Sequence, residues 1–175
     1  MIELDNVAYS YGGAELFSGL DRDAVAQTRR RIGVVHQDCQ FLDHLPVAEN
    51  IALPLSVAGR TTTSDDLRDL LGWVGLTKQA AQLPPQLSGG ERQRAALARA
   101  VIMSPEVILA DEPTGNVDWE MSQRLLALLV ELNKMGKTVL IATHDLTLIR
   151  AAKAQVSARV LRLADRKLQL AGASL

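Results

Sequence analysis

The 175-residue chain is 47% apolar with a formal net charge of −1, which supplies the core of one compact domain with room for an inserted lobe. Its charges are spread along the chain, so neither a nucleic-acid-binding face nor an acidic solvating tail is expected. A lone cysteine, Cys39, cannot form an internal disulfide, and no apolar run approaches the length of a membrane span; a soluble protein in a reducing cytoplasm is expected.

In chain order, "MIELDNVAYSYGG" leads through a first strand to Tyr11, and the Arg29 to Arg31 run reads as a solvated helix end. "IGVV" (Ile32 to Val35) is the first of three short, non-alternating apolar runs. Residues 38 to 104 carry Pro46, Pro54, Pro84 and Pro85, a "TTTSDD" turn-and-cap cluster at 61 to 66, and helical periodicity from Leu67 to Val74; a mostly helical insertion is predicted. "EVILA" (Glu106 to Ala110) and "TVLIA" (Thr138 to Ala142) complete the runs. Continuous apolar strands of this kind suit a parallel sheet covered on both faces. Between them, Leu125, Leu126, Leu128, Leu129, Leu132 and Met135 predict a helix over Trp119 to Met135, stopped by Gly136. "ARVLRL" and "KLQLA" predict a closing hairpin.

Each of the three strands runs into polar residues at its carboxyl end: His36, Gln37 and Asp38; Asp111 and Glu112; His144 and Asp145. Open α/β sheets bind ligands at that edge. Adjacent carboxylates there suit phosphate chemistry with Mg²⁺, one holding the metal and the other polarising a water; read blandly, they are helix-capping acids. A second signal is "LSGGERQRAALARA" (87 to 100). Ser88 and Glu91 match a capping box, but a cap does not require two glycines at a helix start. Without Cβ atoms, Gly89 and Gly90 let an anion approach the amides at the positive end of the helix dipole.

"LSGGERQR" (87 to 94), "VILADEPTGNVD" (107 to 118) and "ATHD" (142 to 145), in that order, resemble the ATP-binding cassette (ABC) ATPases, and "EPTGNVD" with "KTVLIATHDLTLIRAAKA" resembles their FtsE-like cell-division branch, with its relatives in lipoprotein release and macrolide export. The resemblance implies a phosphate-loop, RecA-like α/β fold: a parallel sheet flanked by helices, with 1–37 and 105–175 as the nucleotide-binding core and 38–104 as a helical subdomain. It implies ATP and Mg²⁺ as cofactors. Glu112 is then the general base, Asp111 the carboxylate near Mg²⁺, Gln37 the sensor of metal and water, and His144 the switch near the γ-phosphate. Ser88, Gly89, Gly90 and Glu91 form the signature that contacts ATP held by the opposing subunit of a head-to-tail dimer. Asp118 communicates across that dimer and Tyr11 stacks on adenine, with Tyr9 nearby. The partners implied are a second ATPase subunit and a polytopic, FtsX-like permease, received by "FLDHLPVAENIALPL" (41 to 55). That arrangement puts the chain on the inner face of the bacterial plasma membrane, touching the membrane only through its partner.

One part of the family pattern is missing. The phosphate loop G-x-x-x-x-G-K-[ST], whose amides and lysine cradle the β- and γ-phosphates, does not occur; the "GKT" at 136 to 138 precedes a strand, and Glu131 stands where its first glycine belongs. Only 25 residues separate Tyr11 from Gln37, fewer than the roughly 30 that a strand, loop and helix unit takes. An internal deletion near Leu16 to Asp21, removing the phosphate-loop strand and helix, is expected. Two functions follow as expectations: an ATPase subunit impaired on its own, or a non-catalytic module that lends its signature to an intact partner. A fold of marginal or partner-dependent stability goes with either.

Overall fold

A computed structural model describes residues 22–115, 117–164 and 167–170. The first helix, α1 (Arg22–Arg30), leads into β1 (Ile32–Val35). Then come α2 (Val47–Val57), α3 (Ser64–Trp73), single 3₁₀ turns at Thr77–Gln79 and Pro84–Gln86, and α4 (Gly89–Val101). The rest is β2 (Val107–Asp111), α5 (Trp119–Lys134), β3 (Thr138–Ala142), α6 (Leu146–Lys153), β4 (Leu161–Ala164) and β5 (Lys167–Leu170).

The three apolar runs form one parallel sheet in the order β1-β2-β3, with Val34, Leu109 and Leu140 in register across it. α5 is the crossover between β2 and β3. It starts on an Asp118 cap whose carboxylate accepts from the Met121 amide at 2.8 Å, and it ends before Gly136 at φ 87°, a conformation glycine adopts without steric cost. β4 and β5 pair antiparallel as a separate hairpin. α3 begins on Thr63, which accepts from the Asp66 amide.

The core divides around α4. Ala96 and Leu97 pack with Val35, Ile108, Leu125 and Leu129 under the sheet. Ala95 and Ala98, on the other side of the same helix, pack with Val47, Ile51, Leu71 and Leu76 of the 47–76 region. The sheet and α4 are very close: a β-carbon at Gly33 would lie 2.3 Å from the carbonyl oxygen of Ala100, so β1 admits only glycine there without moving the helix.

The parallel sheet flanked by helices is the architecture expected from the apolar runs; within it β3 alternates between exposed and half-buried residues, and Val34 and Leu140 are 41% and 56% exposed. Val35, Ile108, Ala110, Val139 and Ile141 meet α4 and α5 on one face.

Candidate functional site

The polar ends of the strands converge. Glu112, directly after β2, has the left-handed backbone φ of 42°, uncommon for a residue with a side chain. It is held there by its amide donating to Ala142 O at 2.9 Å and by its carbonyl accepting from the Gly115 amide at 3.1 Å. The turn aims its carboxylate at the end of β3. Oε2 accepts from Thr143 Oγ1 at 2.9 Å, while Oε1 accepts from the His144 amide at 3.0 Å and lies 2.6 Å from His144 Nδ1. Gln37 reaches the same place from β1, since a β-carbon at Gly115 would stand 3.6 Å from its Nε2. Asp111 is exposed at the tip of β2.

Glu112 and His144 shift each other's titration. Burial pushes the Glu112 carboxyl up, but the hydrogen bonds from His144 and Thr143 outweigh it and the net shift is downward. The hydrogen bond to Glu112, then its charge, raises the His144 imidazole above its ordinary value. With the histidine pKa raised, the pair's contribution is complete at lower pH and is lost as pH rises through the folded-state value of His144; with the carboxyl depressed, it is also lost as pH falls through that of Glu112. An NMR titration should place the His144 midpoint above that of an ordinary histidine, and Glu112→Gln should return it there.

The start of α4 is the second element. Ser88 Oγ accepts from the Glu91 amide at 3.3 Å and donates to Glu91 Oε2 at 2.8 Å, and the same Oε2 accepts from the Ser88 amide at 2.8 Å. Gln79 Nε2 holds the other carboxylate oxygen at 2.8 Å. These bonds, Ser88's first, lower the Glu91 carboxyl pKa, and they occupy Glu91 as a brace for the helix start. The two glycines differ. Gly90 is buried, and a β-carbon there would meet Met121 Cγ at 2.6 Å, so any side chain at that position displaces Met121 from the contact of α4 with α5. Gly89 is exposed and lines, with Gln37, Gln93 and Arg92, an open cleft of about 500 Å³; its amide has no acceptor among the described residues. Asp118 caps α5, and Tyr11 lies outside the described residues, as does the segment at 16 to 21.

Three contributors escape a reading of the sequence. Thr143 anchors Glu112 and also accepts from the Asp145 amide at 3.0 Å; its place between Ala142 and His144 gave the only hint. Arg94 is 9% exposed, donates Nη1 to Met121 Sδ at 2.6 Å and leaves Nε unpartnered, which ties the signature helix to α5. Cys39 donates to Gln93 Oε1 at 3.1 Å, and burial pushes its thiol pKa up, which keeps it unreactive.

No group of three or more His, Cys, Asp or Glu able to hold a metal ion occurs among the described residues. Mg²⁺ bound to nucleotide does not ask for one, because it keeps water and takes one or two carboxylates beside the phosphates. Asp111 fits that demand, with Gln37 close to the same turn. The motif G-x-x-x-x-G-K-[ST] does not occur in the sequence. No helix among the described residues is long and apolar enough to cross a membrane.

The family model described as "ABC transporter" matches residues 7–115. The cell division ATP-binding protein FtsE of Haemophilus influenzae is 51% identical over 124 residues, 70% of this chain and 57% of that protein. FtsE of Escherichia coli (strain K12) is 47% identical over 141 residues, 78% of this chain and 61% of that one. Among solved structures, the dimeric ATP-binding cassette MJ0796 in a post-hydrolysis state with ADP and Pi aligns at a TM-score of 0.69 and 35% identity, covering 80% of this chain and 63% of that chain. The chain thus spans 57% and 61% of the two FtsE proteins it matches.

Proposed function

Because the chain belongs to the ABC transporter family, we propose that it is an FtsE-like ATP-binding subunit that works beside a polytopic membrane partner and requires another subunit's phosphate loop to turn over ATP. Supporting the site roles is the Glu112 to His144 contact at 2.6 Å, which joins the ends of β2 and β3 where a base and a γ-phosphate switch are needed. In this reading Glu112 stands where an intact cassette polarises the attacking water, His144 where it places the γ-phosphate switch, and Asp111 with Gln37 where it attends Mg²⁺. ATP supplies the phosphoryl group and Mg²⁺ its charge compensation. The helical subdomain at 38–104 presents the signature, and its 41–55 stretch meets the membrane partner on the inner face of the plasma membrane.

The absent phosphate loop restricts what the chain does by itself. Its lysine and amides supply most of the compensation for polyphosphate charge, so we assign no independent hydrolysis to this chain and attribute the loss to an internal deletion near Leu16 to Asp21. A second reading is favoured by the start of α4. Ser88 and Glu91 hold it rigid without any ligand, while the Gly89 amide stays exposed. The chain then serves as a signature donor, completing one site of a head-to-tail pair whose other subunit holds ATP.

The test is ATP turnover by three samples: the chain alone, an intact FtsE-like subunit diluted until monomeric, and the two mixed with this chain in excess. We expect no turnover from the first, little from the second, and a saturable rise in the mixture. Turnover by the chain alone at the pace of an intact subunit overturns the assignment, and an unchanged mixture overturns the donor reading.

A further inference from the structure

We infer that the free edge of β3 is a self-association surface, through which two copies of this chain pair antiparallel into one six-stranded sheet. The backbone geometry selects the edge. Thr138 donates its amide to Glu106 O at 3.0 Å, and Ala142 O accepts from the Glu112 amide at 2.9 Å. Thr138, Leu140 and Ala142 therefore direct their main-chain groups at β2, and Val139 and Ile141 direct theirs away from it. Among the described residues β3 pairs with β2 alone, so both amides and both carbonyls of Val139 and Ile141 lack a strand partner. The edge carries none of the usual protections: "TVLIA" has no charge, proline or bulge.

A two-fold axis at Leu140 satisfies all four groups. Val139 of one copy stands opposite Ile141 of the other in two hydrogen-bonded pairs, and the two Leu140 residues form the intervening pair whose side chains approach most closely. Leu140 is 56% exposed and shares its sheet face with Val34 and Leu109, so the pairing continues one apolar stripe from copy to copy.

Charge argues for a second copy as the occupant and sets the direction. Lys134 and Lys137 lie at the amino end of β3, where Glu106 is already paired with Arg31, and Asp111, Asp145 and the His144-paired Glu112 lie at or beside its carboxyl end. Antiparallel pairing brings the basic end of each copy to the acidic end of the other; parallel pairing would stack like on like. The contact is isologous and closes at two copies. It is separate from the signature surface at Ser88 to Gly90, so it stands whether or not the chain donates that signature.

Sedimentation over a concentration series, without nucleotide, should show a reversible monomer–dimer equilibrium that weakens as salt is added. Leu140→Lys places two ammonium groups face to face and should raise the dissociation constant about tenfold or more, with an unchanged circular dichroism spectrum because Leu140 is largely outside the core. Leu140→Cys should give a disulfide-linked dimer under mild oxidation, since the pair's Cα separation of about 4.5 Å falls within disulfide range. Buried Cys39 does not compete. A monomer at every concentration, a dimer indifferent to Leu140→Lys, a failure of Leu140→Cys to cross-link, or open-ended oligomers would each overturn the inference. Association seen only with MgATP would place the interface elsewhere and overturn it too.

Discussion

Gly89→Asp is expected to reduce the turnover of the mixed assembly roughly 10²-fold, the scale of losing one preorganised donor to a developing oxyanion. It should leave the chain's own stability unchanged or slightly higher. Gly89 is the first residue of α4, preceded by the Ser88 cap. A carboxylate at that position gains from the helix dipole, and aspartate has a better helix propensity than glycine. The helix therefore persists while its positive end is neutralised where the polyphosphate would sit. A thermal melt with the turnover assay separates the two effects. Glu112→Gln in the same chain is the contrasting control. In an intact cassette it would remove the base, but here it belongs to the half of the pair without a phosphate loop, so the mixture should keep its rate. Loss with Glu112→Gln and retention with Gly89→Asp would mean that this chain holds the nucleotide by itself.

The largest stability effect is expected at Asn50. Its side chain is fully buried and organises the loop ahead of α2: Oδ1 accepts from the Leu42 amide at 2.8 Å, and Nδ2 donates to Leu42 O at 3.0 Å, Leu45 O at 2.8 Å and Pro46 O at 3.3 Å. No other side chain can reach those groups from the same place. Asn50→Ala removes the bonds together and leaves a small cavity, so a loss of about 3 kcal/mol is expected, at the upper end of the cost of unsatisfying buried polar groups. Asn50→Asp should cost more at neutral pH, because a carboxylate facing carbonyl oxygens can accept but not donate. Urea denaturation measures both. The loop it organises is the 41–46 stretch assigned to the membrane partner, so a partner-binding defect should accompany the loss of stability.

Much of the architecture was legible because its signals are local. Thr63 and Ser88 each cap the helix that follows, the three apolar runs became the three parallel strands with the second displaced by one residue, and the hairpin formed without a turn glycine. The convergence of Glu112 and His144 followed from both residues ending parallel strands. What escaped was set by packing. No local pattern says that Gly90 answers to Met121, that Thr143 joins the His144 amide in steadying the Glu112 carboxylate, or that a run as apolar as "TVLIA" has a strand partner on one side alone among the described residues. Those facts depend on which segment lies alongside, information held some tens of residues away or in another molecule.

The division of α4 between two apolar clusters bears on how the molecule comes apart. Ala96 and Leu97 face the sheet, and Ala95 and Ala98 face α2 and α3, so neither cluster can be opened without stripping one side of the same helix. A lobe on a flexible stalk would melt early and leave the sheet behind. Here the helical part and the sheet share a spine, so heat or denaturant should dismantle them in one cooperative event.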